Sequence, residues 1–242
     1  MVISPITTDN NTQFEFAECM ANNSSCLRNN QVVEVDVAMM AGGVFLARKI
    51  EFEDQVEDDE LEGVVFKTDD ATHFEMVVLD ELRSVNNVSV GNPVVVTLSS
   101  PTFRVHTDGL TVPSGLQGAF EGATDTSQLL TGQSVEVRLT GPATAGPPIT
   151  VNANRVRLRM TQFTGNVSGA PAPPNFNVSS LPALFTGAGI TSIQVQTSSN
   201  TNFQGVTGVS GLADGNSVSL RGLLFKNGGN PPVLIAKKVR KR

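Results

Sequence analysis

Apolar and polar positions alternate with period two along most of this chain, and helical spacing is scarce. Val33, Val35 and Val37 point one way while Glu34 and Asp36 point the other. Val135, Val137 and Leu139 alternate with Glu136 and Arg138, and Val156, Leu158 and Met160 with Arg155, Arg157 and Arg159. Such alternation predicts half-buried strands of antiparallel sheet. The pattern recurs at a fixed interval, and a repeat decides architecture before any single element does. Gly132-Gln133-Ser134-Val135-Glu136-Val137 leads to Ala153-Asn154-Arg155-Val156-Arg157, and Gly215-Asn216-Ser217-Val218-Ser219-Leu220 leads to Ala236-Lys237-Lys238-Val239-Arg240. Gly to Ala is 21 positions in both, and the copies lie 83 apart. A third copy is Asn30-Gln31-Val32-Val33-Glu34-Val35, then Ala47-Arg48-Lys49-Ile50-Glu51. The second limb of each copy breaks phase by an odd step, from Ala153 to Val156, Ala236 to Val239 and Ala47 to Ile50. That shared irregularity predicts a β-bulge, or a strand bent at a barrel corner.

The last copy is the most complete. Strands are predicted at residues 162–167, 175–178, 192–196, 218–224 and 233–239. Five strands in about 80 residues fit a small barrel of the OB type. In the middle copy, residues 61–66 and 74–79 form a hairpin around Thr68-Asp69-Asp70-Ala71-Thr72, residues 94–98 a third strand, and residues 107–131 a longer connection. The first copy lacks its first two strands. Its Thr12-Gln13-Phe14 matches Thr201-Asn202-Phe203, just beyond the third strand of the last copy. Counting back places the missing pair before Met1, so this unit is either part of a longer protein or an open one with exposed sheet edges. The expectation is an all-β chain of tandem small antiparallel OB-like barrels: a partial repeat at 1–54, a repeat with insertions at 55–160 and a repeat at 161–242 that folds alone.

The pattern Gly-x-x-Val-x-Val, a turn, then Ala-x-Lys/Arg-Val/Ile resembles the repeats of domain of unknown function 5666. Leu181-Pro182-Ala183-Leu184-Phe185 and the Ala236-Lys237-Lys238-Val239-Arg240 ending are similar too. The resemblance covers residues 60–242 well and 1–54 partly. It implies OB-like barrels in a secreted or cell-envelope bacterial protein, and it brings no catalytic residues to transfer.

Composition narrows the function classes. All 13 aromatic residues are Phe, with Trp and Tyr absent, which removes the usual stacking platforms for bases or sugar rings and leaves only Phe for the task. With net charge −6, this argues against nucleic acid. The charge is uneven: residues 1–81 carry 18 acids and 4 bases, and residues 82–242 carry 5 acids and 13 bases. Acids gather over residues 51–62, including Glu57, Asp58, Asp59 and Glu60; bases gather at Lys237, Lys238 and Arg240. Both clusters are candidate interaction surfaces, which would orient copies head to tail. The plainer reading is a solvated acidic linker and a basic tail. The run lacks the spaced pattern of a calcium loop.

Cys19 and Cys26 flank a polar, turn-forming stretch that suits a disulfide-closed loop. Such a bridge points to an oxidising compartment. No apolar run is long enough for a membrane span, and no signal peptide is visible, so an exported protein would have shed one before this start. Asp69, Asp70 and His73 share a predicted turn; turns favour Asp for backbone reasons, which outweighs a metal reading. The Arg155-Val156-Arg157-Leu158-Arg159 stripe reads as the polar face of a strand rather than a phosphate site. No nucleophile elbow, phosphate loop or zincin pair occurs. The expectation is therefore a non-enzyme without cofactor or metal, extracellular or in the cell envelope. It would bind polysaccharide or protein, or else be a structural subunit that self-assembles head to tail by strand complementation.

Overall fold

The computed structural model describes residues 6–15, 23–27, 32–40, 45–53, 60–81, 85 and 87–242. The chain divides into two compact units, Met1–Glu57 and Asp58–Arg242.

The second unit holds two closed barrels. Strands β5 (Glu60–Thr68), β6 (His73–Glu81), β7 (Pro93–Val105), β8 (Ser134–Leu139) and β9 (Ile149–Arg159) close in the order β5-β6-β7-β9-β8. Strands β10 (Thr161–Ala172), β11 (Asn175–Ser179), β12 (Ile193–Gln196), β14 (Ser217–Asn227) and β15 (Asn230–Lys241) close likewise, because β12 also pairs with β15. The short β13 (Asn202–Gln204) extends the line of β12 along β15. The barrels are not wholly antiparallel: β7 runs parallel to β9, and β12 to β15. A ring of five strands cannot alternate direction all the way round, so at least one pair must be parallel.

In the first unit, β3 (Val32–Met39) is antiparallel to β4 (Phe45–Glu53). The short β1 (Ile6–Thr7) and β2 (Gln13–Glu15) run parallel to β4. These four strands occupy the places of β14, β15, β12 and β13. The bulge expected from the phase break is present three times, opposite Asp36/Val37, Arg138/Leu139 and Arg221/Gly222. The looped-out residues are Arg48, Asn154 and Lys237. A threonine fixes the same corner in the first and last copies: Thr12 Oγ1 donates to Ala47 O and Thr201 Oγ1 to Ala236 O, both at 2.8 Å.

The sequence reading left residues 107–131 without regular structure. They contain α1 (Ser114–Glu121), which buries Phe120 alone. Two glycines and a single buried side chain leave too weak an apolar stripe to read as helix. A second short helix, α2 (Ala183–Gly187), follows Pro182 and buries Phe185.

The closed barrels are not independent. Leu223, Phe225, Val233 and Ile235, at the tip of the β14–β15 hairpin, belong to the core of the preceding barrel, with Phe103, Phe120, Leu129 and Leu158. The Phe120 ring stands edge-on to Phe225 at 6.4 Å. The opposite side of the same hairpin, Leu224, Leu234 and Ala236, fills its own barrel. Residues 161–242 therefore share a core with 58–160, which revises the expectation of a self-sufficient last repeat.

Candidate functional site

Three surfaces carry the chemistry of this chain: a charged barrel wall, a groove beside the barrel joint, and the open face of the first unit.

On the outside of the first closed barrel, cross-strand register sets Glu60 beside Arg138, Glu62 beside Glu136, Glu136 beside Arg157 and Arg138 beside Arg155. Arg155 pairs with Glu60, both nearly buried. Arg157 Nη1 lies 3.0 Å from Glu136 Oε1, and Arg159 reaches Glu136 at 3.6 Å and Glu62 at 3.7 Å. Burial, then the neighbouring Glu136 charge, pushes the Glu60 carboxyl up, against the pull of Arg155 and Arg157. Glu62 is also raised, chiefly by burial. Glu62 faces Glu136 and Arg138 faces Arg155, but Arg155, Arg157 and Arg159 each reach a glutamate on a neighbouring strand, so this arginine stripe is a strand face paired with glutamates. Glu60 is correspondingly a buried partner of Arg155, not part of a solvated linker. Glu57, Asp58 and Asp59 lie outside the described residues.

The basic cluster is also partly committed. Lys237 Nζ donates to Asp108 O at 2.6 Å, tying the bulge of the last barrel to a loop of the one before. Lys238 is half-exposed opposite Arg221, and Arg240 is exposed. Cys26 is buried in the first unit beside Ala47 and Ile50; Cys19 lies outside the described residues. In the β5–β6 turn, Asp70 Oδ1 accepts from the Thr72 N–H at 2.7 Å and faces His73 Nδ1 at 2.9 Å. The Thr72 N–H first, then His73, hold the Asp70 carboxyl down to about 2. Asp69 turns instead to Lys67. Among the described residues, no cluster of three His, Cys, Asp or Glu is placed to hold a metal ion, and no helix is long and apolar enough to cross a membrane.

A groove of about 360 Å³ opens beside the joint, lined by Phe163, Phe185, Ser134, Thr161, Gln162 and Ser219 among others. Its lining offers apolar side chains, hydroxyls and an amide but no carboxylate, imidazole or thiol, and the Phe163 and Phe185 rings are themselves buried. That set can bind; it has no acid–base pair to drive a reaction.

The open face is the sharpest departure from the repeat. Among the described residues, β3 pairs with β4 alone, and so does β1. In the closed barrels the corresponding strands carry a hairpin between them, β5–β6 or β10–β11. Val135, Val137 and Val218 are 0 % exposed under that hairpin. Their counterparts Val33 and Val35 are only partly buried. Val37 and Met39, the counterparts of Leu139 and the fully buried Leu224, are 43 % and 74 % exposed. Counting the repeat led to the expectation of a partial first copy but did not single out these side chains.

Residues 4–51, which span this open unit, match the family model described as domain of unknown function (DUF5666). The resemblance read from the sequence was fuller over residues 60–242, whereas this match lies on the partial copy. No curated protein matches the chain at a significant level.

Proposed function

We propose that this chain is a non-catalytic, exported or cell-envelope β-barrel protein that binds another polypeptide by accepting a β-hairpin into its open N-terminal unit. The observation that carries this is the contrast at equivalent positions: Val37 and Met39 are exposed where Leu139 and Leu224 are buried. Apolar side chains facing water and a sheet edge that has no strand partner among the described residues both favour an incoming strand pair. Main-chain hydrogen bonds would supply affinity, and alternate inward side chains the selectivity. The exported setting is supported by the Cys19/Cys26 spacing and by the family resemblance.

The test uses the full chain and a synthetic peptide of residues 161–179, the β10–β11 hairpin. Hydrogen exchange of the Val32–Met39 amides should slow on saturating peptide, and a Phe163→Asp peptide should have little effect. Unchanged exchange at millimolar peptide would overturn the reading.

A second reading rests on the groove. Leu184, 38 % exposed, and Pro182, with Gln162, Thr164 and Ser219, give apolar surface and polar partners of the kind a sugar ring uses. A glycan array showing binding that is lost in Gln162→Ala would favour polysaccharide as the ligand.

A further inference from the structure

The joint between the closed barrels has a seat and an insert, and the chain carries a second seat and a second insert that the described contacts leave unused. The seat in the first closed barrel is built around Gln133. Its Oε1 accepts from Leu130 N at 2.6 Å, and its Nε2 donates across the joint to Leu224 O at 2.8 Å. The last barrel repeats this seat 83 positions on. Asn216 Oδ1 accepts from Ala213 N at 3.0 Å. The flanking main-chain bonds also repeat: Gly132 N to Val65 O at 2.7 Å and Val65 N to Gln133 O at 2.9 Å become Gly215 N to Val167 O and Val167 N to Asn216 O, both at 2.9 Å. Among the described residues nothing covers the copy. The Asn216 Nδ2 group has no hydrogen-bond partner among the described residues. The space beside Gly215 is open, whereas Gly132 lies against the Phe185 ring of the next barrel. The floor of the copy is apolar: Phe203 holds the position of Phe103, and both Phe203 and Val206 are only partly buried.

The second insert is the end of β3, residues 38–40, with the facing start of β4. Register places Ala38 and Leu46 at the positions of Leu223 and Ile235, and Met39 at that of Leu224. Met40 then falls at the position of Phe225 and is 50 % exposed. The exposed bulge residue Arg48 stands where Lys237 reaches a loop carbonyl of its seat. Charge favours the meeting as well: residues 1–57 hold 9 acids and 3 bases, and residues 161–242 hold 1 acid and 7 bases.

We propose that the last barrel seats the end of β3, residues 38–40, of a second copy of this chain, head to tail, with Met40 over Phe203 and Val206 and Asn216 Nδ2 donating to Met39 O. The contact is heterologous, so each copy keeps one seat and one insert free and the array propagates. It needs no strand exchange, and every strand of the two closed barrels is already paired. It is separate from the hairpin-accepting edge of β3, whose test reads different amides and a different ligand.

Sedimentation velocity on the full chain, over a concentration series at low salt, tests it. The wild type should form a ladder of oligomers that weakens as salt rises toward 1 M, where the Debye length is about 3 Å. Met40→Glu and Val206→Glu, each verified as folded by circular dichroism, should be monomeric. Their equimolar mixture should stop at dimers, because one variant keeps the seat and the other keeps the insert. Asn216→Ala, which leaves the apolar floor intact, should weaken association by roughly 5- to 10-fold, as for one lost hydrogen bond. A monomeric wild type at high concentration, single variants that still assemble, or a mixture that stays monomeric would each overturn the proposal.

Discussion

Gly132 and Gly215 are equivalent residues with different neighbours, and replacing each by alanine separates backbone strain from the barrel joint. Both have left-handed backbones, with φ of +91° and +78°. An L-residue there costs about 1–2 kcal/mol in either place. Only at Gly132 would the new methyl overlap another side chain, the ring of Phe185, while the surroundings of Gly215 are empty. Phe185 has little room to withdraw: it is 2 % exposed and its ring centroid lies 5.0 Å from that of Phe163. Forcing an extra methyl into such packing costs about 1–3 kcal/mol more. Urea unfolding at low protein concentration should therefore show Gly132→Ala less stable than Gly215→Ala by about 1–3 kcal/mol. In a unit of this size that is roughly 2–12 °C of melting temperature. In a Phe185→Ala background the excess should vanish, since the coupling belongs to the pair. Equal losses at the two glycines, or an excess that survives without Phe185, would refute the claim that this contact fixes one barrel on the other.

Thr201→Val should destabilise the second unit by about 1–3 kcal/mol, because it leaves Ala236 O buried without its donor; Thr12→Val should do the same at Ala47, read by faster exchange of β4 amides. Burial raises the carboxyls of Glu60 and Glu62, so the folded state holds their protons more tightly than the unfolded chain. Their contribution to stability therefore falls as pH rises from the unfolded carboxylate value through the raised folded ones, and Glu62→Gln should flatten that slope in urea titrations at successive pH values. A Cys19–Cys26 bridge should appear as a mass gain of two alkyl groups only after reduction, in protein isolated from its native compartment; two thiols that alkylate without reduction would exclude it. Residues 161–242 expressed alone expose Leu223, Phe225, Val233 and Ile235, forfeiting about 6–12 kcal/mol of apolar burial. That segment should aggregate or unfold, and threonine at those four positions should restore a monomeric barrel.

The frame was legible because its signals are local and repeated. The phase break at Ala47, Ala153 and Ala236 located three bulges, since period two makes a one-residue slip visible in which side chains face the core. That the described residues of the first copy supply only β1–β4 agrees with subtracting it from its siblings. What could not be read was what lies on the frame. The β14–β15 tip reads as ordinary strand, and nothing in Leu223 or Phe225 tells that they fill a neighbour's core while Leu224 fills their own. Glu60 sits in an acidic run that looks solvated, and only cross-strand register brings Arg155 to it. Phe120 lies between glycines in a segment without periodicity, yet it lines the joint. The Gln133 and Asn216 seats were visible as conserved spacing within the chain, but their role needed the carbonyl that one of them holds.

The repeat therefore divides its residues into two kinds with different consequences for function. Bulge, threonine corner and Gly-Gln/Asn turn satisfy their own hydrogen bonds in place, so they maintain shape whatever lies beside them. The inner face of β3 and the outer face of each hairpin tip are satisfied only by something added. In the two closed barrels the inner face is filled by the unit's own hairpin, and at the joint the seat is filled by the next tip. Where the described residues leave the same surfaces exposed or half-exposed, at Val37 and Met39 and at Phe203 and Asn216, the proposed partners would supply the missing burial. A protein built this way needs no reactive group to be specific. The inward alternation of a strand pair and the spacing of a carbonyl from Asn216 are geometric demands, which a wrong partner fails by leaving buried polar groups unpaired.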